Sequence, residues 1–174
     1  MRLHRSENDQ AGSFSLPPDK LIPIAKYLLA VVILIFIIWM FLRNAGSDAS
    51  FEEVASAVEA VIDTESLQEG DASDFKRNYG LTAADYEGVL LYISVYNMQA
   101  SEVLLVKVSD ASQVSEIEEA IDSRLTALEA DFGGYLPEQE ELINQAQVTT
   151  RGNFVFLAIS SDVNAYTAAF LNGL

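Results

Sequence analysis

The sequence predicts an α+β fold in which helices pack on a four-stranded antiparallel sheet, preceded by one transmembrane helix. Three observations lead to this prediction. An uncharged apolar run lies near the N-terminus, four later segments alternate apolar and polar residues, and helical spacing separates these segments. The element order is therefore helices first and then strand–strand–helix twice. An antiparallel sheet with helices on one face is the natural packing for this order.

The transmembrane helix, acting as a signal anchor, is predicted over residues 21–43. Tyr27 to Leu42 has no charged residue, which corresponds to about 24 Å of helix at 1.5 Å per residue. Residues 21–26 extend it to about 33 Å, enough for a bilayer core of roughly 30 Å. A cleaved signal peptide is the alternative, because Ser47-Asp48-Ala49 could serve as a cleavage site. The run is longer than the about 7–15 apolar residues of such peptides.

Charges on either side of the apolar run predict its orientation. Four basic residues precede the run, and Arg43 alone follows it closely. Because the basic flank stays in the cytoplasm, residues 1–20 are predicted to be a cytoplasmic tail. Residues 44–49 then form a tether, and residues 50–174 form an extracytoplasmic domain at the cell membrane.

The predicted outer domain is strongly acidic. The chain has 10 basic and 26 acidic residues, of which five basic and three acidic ones lie in residues 1–43. Five basic and 23 acidic residues remain after residue 43, a balance of −18. Such a surface repels nucleic acids and anionic lipid headgroups. We therefore expect no nucleic-acid partner, and contact with the bilayer only through residues 21–43.

The domain is predicted to begin with helices. Ser50 and Glu53 have the spacing of a capping box. The first helix has an apolar stripe formed by Phe51, Val54, Val58, Val61 and Ile62. A second helix is predicted over residues 72–79, where Gly80 ends it, and another helical turn over residues 82–86.

Two hairpins follow in the predicted order. Residues 88–96 and 102–108 alternate with a period of two and form the first. Residues 146–151 and 154–160 form the second, with Gly152-Asn153 as a two-residue turn.

One long helix is predicted between the hairpins and one helix after them. The long helix covers residues 113–132, with Ser112 as a possible cap. Ser160 or Ser161 caps the last helix, whose inner side carries Val163, Tyr166 and Phe170.

The segment "DFGGYLPEQEEL" contains the Asp-Phe-Gly triplet that holds metal in protein kinases. The lysine strand and glycine-rich loop that accompany this triplet in kinases are absent from the sequence. We therefore interpret the segment as the end of the long helix. Gly133 or Gly134 supplies the left-handed residue, and Pro137 prevents continuation. The acidic residues from Glu138 onward are typical of the first turn of a short helix.

Composition excludes several kinds of chemistry. The chain has no cysteine, and its one histidine, His4, lies in the polar tail. Disulfides, thiolate sites and a Ser-His-Asp triad are therefore excluded. Two carboxylates can suffice for glycoside hydrolysis, but no acid falls inside a predicted apolar strand, where burial would raise its pKa. We expect no enzyme activity, no catalytic residues, no metal and no cofactor, with a carboxylate-based hydrolase as the weaker alternative.

The interaction candidates are aromatic side chains. Tyr92 and Tyr96 share one side of the first strand, Phe156 lies on one side of the last strand, and Tyr135 follows the long helix. Such a surface could receive a sugar ring or a partner's strand. The alternative is that the helix over residues 51–63 covers this face, because its apolar stripe needs a partner.

Several of these segments together resemble a known family. The long helix, "FGGYLPEQEELINQAQV", the strand in "GNFVFLAIS" and a capped last helix resemble the bacterial domain of unknown function 4358 family. A glutamate such as Glu102 before an apolar run belongs to the same pattern, which covers roughly residues 51–172. The resemblance implies a small domain outside the cytoplasm, with no known activity. Many relatives look like lipoproteins, whereas this chain has no cysteine, so a helix must replace the lipid.

The sequence thus predicts a membrane-anchored, extracytoplasmic binding or scaffolding domain. The resemblance implies a role in the cell envelope, with an envelope protein or polymer as partner. The alternative is an accessory partner of a membrane enzyme that modifies envelope polymers.

Overall fold

The computed structural model describes residues 26–37 and 49–174, which belong to two separate units. Residues 26–37 form helix α1, and all of them are exposed. No helix in these two ranges is long and apolar enough to cross a membrane. The predicted transmembrane helix continues at both ends outside the described residues, where the predicted tail and most of the tether also lie. These three assignments stay predictions.

The second unit contains five α-helices, one 3₁₀ turn and five strands in its described residues. In chain order it contains α2 (Phe51–Glu59), β1 (Leu67–Glu69), α3 (Ala72–Tyr79), a 3₁₀ turn (Ala83–Asp85), β2 (Gly88–Ser94), β3 (Glu102–Lys107), α4 (Gln113–Phe132), α5 (Pro137–Asn144), β4 (Gln147–Arg151), β5 (Phe154–Ile159) and α6 (Val163–Gly173).

The sheet has five strands in the order β1-β2-β3-β5-β4, and all neighbours are antiparallel. The α+β class and the two hairpins are confirmed, but the predicted number of four strands is wrong. The additional strand is β1, which pairs with β2 from Leu67 opposite Ser94 to Glu69 opposite Tyr92. Three residues are too few to display a period of two, so only the pairing with β2 identifies β1 as a strand.

Helices cover both faces of the sheet rather than one. Helices α3, α4 and α5 pack on the face that carries Leu91, Leu104 and Leu157, which we call the α4 side. Helices α2 and α6 pack on the opposite face, the α2 side, which carries Leu90, Leu105 and Phe156. Because both faces are covered, every residue of the central strands β3 and β5 is buried.

Most predicted helix ends are confirmed by their caps. Ser50 and Glu53 form the predicted capping box. Helix α3 ends at Gly80, whose φ of 74° is the left-handed conformation that glycine adopts without steric cost. Helix α4 ends at Phe132 and Gly134 has φ 72°, so the "DFGG" segment is a helix end.

Two predicted details of the helices are wrong. Ser112 makes no side-chain cap at α4; the Gln113 side chain instead accepts from the backbone N–H groups of Ser109 and Asp110, both at 3.1 Å. Val61 lies beyond the end of α2 and is 41% exposed, so it is not part of the buried stripe.

The two ends of the sheet differ in what surrounds them. At one end, Gly88 of β2 lies under the Phe51 ring, so closely that an added Cβ would be 2.3 Å from Phe51 Cγ. We call this the Gly88 end. The opposite end carries the β2–β3 connection between Ser94 and Glu102, and we call it the hairpin end. Helix α6 starts near the hairpin end and finishes with Gly173 against Val54 of α2.

Candidate functional site

A buried carboxylate lies at the hairpin end, on the α4 side. Glu102, the first residue of β3, is 2% exposed. Arg124 of α4 donates to its Oε2 through Nε at 3.1 Å and through Nη2 at 2.6 Å. The Tyr79 hydroxyl of α3 donates to Oε1 of the same carboxylate. These three residues, which we call the buried clasp, join two helices to a central strand.

The expectation that no acid lies inside an apolar strand is therefore wrong. Glu102 is the first residue of its strand, so the sequence pattern placed it at the end of the strand rather than in the core. The signal that could have revealed it is Arg124, which lies three residues after Ile121 and four before Leu128 on the buried stripe of α4. A basic residue at such a position needs a buried acidic partner.

The electrostatics of the buried clasp favour the protonated form of Tyr79 and the charged form of Arg124. Burial raises the pKa of Tyr79 well above its ordinary value, and the charge and hydrogen bond of Glu102 add to this effect. For Arg124, burial acts against the charged form, but the hydrogen bond and charge of Glu102 outweigh it, so its pKa is raised. Glu102 accepts from two side chains and has almost no contact with solvent. The side chains of the clasp therefore satisfy one another's hydrogen bonds, and the Glu102 carboxylate is closed to solvent.

Above about pH 10, the ordinary pKa of tyrosine, we expect the free energy of unfolding to fall. In the folded chain Tyr79 keeps its proton well above this pH. Burial and then Glu116, which accepts from the Tyr86 hydroxyl at 3.2 Å, raise the pKa of Tyr86 to about 12. The unfolded chain then binds fewer protons than the folded chain. The stability from each tyrosine is complete below about pH 10 and declines by about 1.4 kcal/mol per pH unit until the folded pKa is reached.

Urea unfolding between pH 8 and pH 11.5 measures this slope. The variant Tyr86→Phe should show a shallower decline than the natural chain above pH 10. Equal slopes for the two proteins would contradict the raised pKa of Tyr86.

A polar pocket of about 260 Å³ opens at the hairpin end. Five segments of the chain line it: the loop before β1, the start of β1, the β2–β3 connection, α5, and the region from the β5–α6 turn into α6. Its polar lining residues are two aspartates, four serines, two glutamines and a tyrosine, and none is basic. The pocket therefore carries negative charge together with neutral groups that both donate and accept hydrogen bonds.

Part of this polar lining is already fixed by the fold. Gln139 Oε1 accepts from the backbone N–H of Ala100 at 2.9 Å, which joins α5 to the β2–β3 connection. The Tyr166 hydroxyl oxygen accepts from the backbone N–H of Asp63 at 3.3 Å. The Ser160 hydroxyl oxygen accepts from the backbone N–H of Asp162 at 3.1 Å. Asp162 occupies the cap position of α6 without a side-chain cap bond, so the predicted cap at Ser160 or Ser161 is wrong. These bonds leave the Gln139 Nε2 amide and the Tyr166 O–H as donors.

Other polar groups of the pocket have no partner within the described residues. They are the side chains of Ser101, Ser161 and Asp162. Asp63 is held in its charged form, because the Ser66 hydroxyl and then the Glu65 backbone N–H lower the pKa of its carboxyl group. The pocket thus presents free hydroxyls, one free carboxylate and one ordered carboxylate.

The four interaction candidates fall into two groups. Tyr96 is 55% and Tyr135 is 73% exposed. They lie in the segments that supply Gln99 and Gln139 to the pocket, and the bond between Ala100 and Gln139 joins these segments. The other two candidates lie on the α2 side of the sheet.

Tyr92 and Phe156 do not form an open face. Tyr92 is half-buried against the core of the α2 side. Phe156 is fully buried and stacks on Phe170 of α6, with ring centroids 4.7 Å apart and an angle of 5° between the rings. Phe156 as an interaction residue is therefore corrected to a core residue, because α2 and α6 cover this face.

Sequence reasoning missed the pocket itself. Its residues are single serines, amides and aspartates in separate loops, and no spacing rule connects them. In the described ranges, no group of three or more histidine or acidic side chains is placed to hold a metal ion.

The second unit is a small α+β domain whose antiparallel sheet is covered by helices on both faces. A family model described as "Domain of unknown function (DUF4358)" matches residues 60–160. This match spans more than half of the chain, so the protein belongs to that family, as the resemblance predicted. The matched region contains all five strands and the whole buried clasp. No curated protein and no solved structure matches the chain.

Proposed function

We propose that residues 50–174 form a non-catalytic binding domain outside the cytoplasm, anchored through residues 21–43. Its partner is an envelope protein or polymer. The polar pocket at the hairpin end carries this proposal, because several of its side chains retain hydrogen-bonding groups that the fold does not use. Tyr96 and Tyr135 are exposed and lie three and four residues before the lining residues Gln99 and Gln139, so they extend the surface that a partner can contact.

The state of the acidic residues supports binding rather than catalysis. A carboxylate that acts as a general acid or base must reach the proton it transfers. Glu102 is buried and saturated by Arg124 and Tyr79. The two carboxylates of the pocket are not buried in this way. Asp63 accepts hydrogen bonds from Glu65 and Ser66 of its own loop, and Asp162 lies exposed at the start of α6. None of these side chains has a histidine or a lysine to activate it in the pocket lining.

The path of the chain supports a partner at the hairpin end. Residues 49–51 enter the domain near Gly88, whereas the pocket lies at the opposite end of the sheet. The described start of the domain therefore does not cover the pocket. The four basic residues before residue 27, against Arg43 closely after the apolar run, favour an outside location.

Site-specific cross-linking in intact cells tests the proposal. A photoreactive phenylalanine derivative at Tyr96 or Tyr135 of the full chain is expected to capture one defined envelope component. The same derivative at Leu171, an exposed apolar residue of α6, is the matched control and should capture none. Equal products at all three positions, or none at Tyr96 and Tyr135, would contradict a partner at the hairpin end. Capture of a membrane enzyme would identify the domain as its accessory partner.

Protease digestion of the same cells tests on which side of the membrane the domain lies. Protease added after removal of the wall should digest the domain and leave residues 1–20 protected. Protection of the domain would place it in the cytoplasm and overturn the proposed location.

A further inference from the structure

We propose that the polar pocket binds a single neutral sugar ring of an envelope glycan. This inference rests on the proposed function and names the chemical class of its ligand. It follows from three properties of the pocket: the mixture of donors and acceptors, the absence of positive charge and the small volume.

The mixture of groups requires a ligand that both donates and accepts. The carboxylates of Asp63 and Asp162 only accept. The Gln139 Nε2 amide and the Tyr166 O–H donate, since their oxygen atoms already accept from backbone N–H groups. Sugar hydroxyls do both, so one ring can satisfy carboxylates on one side and amide or phenol donors on the other. An ammonium ion has only donors and would leave Gln139 and Tyr166 unpaired.

Charge excludes acidic ligands from the same pocket. Its lining contains two aspartates and no lysine, arginine or histidine. The Asp63 carboxyl group is kept ionised by the Ser66 hydroxyl and the Glu65 backbone N–H. A phosphate or a uronate would therefore meet negative charge with no compensating cation. The ligand is a neutral sugar.

Volume limits the ligand to one ring. The 260 Å³ of the pocket lies just below the range of about 300–1,000 Å³ for sites that enclose drug-sized molecules. The remainder of a glycan must continue over the rim. Tyr96 and Tyr135 supply exposed aromatic surface at this end of the domain, and apolar faces of sugar rings pack on such rings.

Ligand-observed NMR tests the inference on the full chain in lipid nanodiscs, with empty nanodiscs as the blank. The probes are methyl glucoside, N-acetylglucosamine, glucuronate and methylammonium. Saturation transfer is expected to the two neutral sugars. The variant Ser161→Ala/Asp162→Asn should bind them about tenfold more weakly or worse, because it removes one neutral and one charge-assisted hydrogen bond.

The matched control is Ser115→Ala/Asp122→Asn, which makes the same changes at exposed positions of α4 that have no side-chain partner. It should bind like the natural chain. A second pocket variant, Ser101→Leu, fills the pocket with an apolar side chain, keeps both carboxylates and should also abolish transfer. Equal transfer to the pocket variants and the control would overturn the assignment.

Three further outcomes distinguish a failure of this inference from a failure of the proposed function. Transfer to methylammonium but not to the sugars would overturn the sugar class and keep the pocket as a binding site. No transfer to any probe, with capture from Tyr96 intact, would overturn the inference and leave the proposed function standing. Loss of both transfer and capture would overturn both.

Discussion

The variant Arg124→Ala is expected to lower the free energy of unfolding by about 3–5 kcal/mol. Arg124 is the ionic partner of Glu102, a carboxylate that is 2% exposed. Its removal leaves a buried negative charge with only the Tyr79 hydroxyl as a donor. Urea unfolding of residues 49–174 at pH 7, followed by tyrosine circular dichroism, measures the change.

An exposed ion pair provides the control for this prediction. Arg77 bonds to Asp74 at 2.6 Å, but its side chain is 65% exposed. Arg77→Ala should therefore change the free energy of unfolding by no more than about 0.5 kcal/mol. If the two arginine variants cost the same, Glu102 is not a buried structural charge.

Replacing the whole clasp should cost less than breaking it. In Tyr79→Phe/Glu102→Leu/Arg124→Met, apolar side chains take the place of all three polar ones. Such replacements of buried ion pairs are often neutral or stabilising, so this variant should be more stable than Arg124→Ala.

The variant Phe156→Ala is expected to lose about 3–5 kcal/mol of unfolding free energy. Phe156 is fully buried in β5 and stacks on Phe170, so its removal leaves a cavity between the sheet and α6. Thermal and urea unfolding of residues 49–174 measure the loss. Tyr96→Ala, at a side chain that is 55% exposed, should stay within about 0.5 kcal/mol of the natural chain.

The variants Phe156→Ala and Tyr96→Ala together also show which of the two side chains belongs to the core and which to the binding surface. A stable Phe156→Ala protein that fails to capture its partner would show that this face is open in solution, against the packing of α2 and α6. Loss of capture in Tyr96→Ala with full stability is the expected pattern for the hairpin end.

Local signals predicted most of the helices and strands correctly. The capping box at Ser50, the glycine after Tyr79 and the period of two in β2 act within a few residues, so the sequence displays them directly. Strand β1 was missed because only its pairing with β2, more than twenty residues away, makes it a strand.

The sequence contains evidence that helices cover both faces of the sheet, but the prediction interpreted it as helices on one face. The runs in β3 and β5 are apolar at almost every position, which is typical of strands buried on both sides. The analogy with one-faced α+β sheets led to helices on one face. The apolar stripe of α2 pointed to the correct arrangement, because it needed a surface to cover.

The candidate site was harder to predict than the fold. Tyr96 was selected as a residue of the first predicted strand and Tyr135 as the residue that follows the long helix, but the strand ends at Ser94, so Tyr96 lies beyond it. Asp63 and Tyr166 touch in the pocket although 103 residues separate them, and no local rule links an aspartate in a loop to a tyrosine in the last helix. The buried clasp was also beyond local sequence rules, because Glu102 and Arg124 become partners only when α4 lies on β3.

The packing of Gly173 against Val54 bears on how this domain can be fused, permuted or inserted into another protein. Helix α2 begins the domain and α6 completes it, so the first and last residues of the folded unit lie near one pole. Neighbouring ends are the geometry that tolerates circular permutation and insertion into a loop of a host protein. A reporter fused after Leu174, or a surface linkage made there, would stand at that pole. The pocket lies at the other pole, away from such a fusion or linkage.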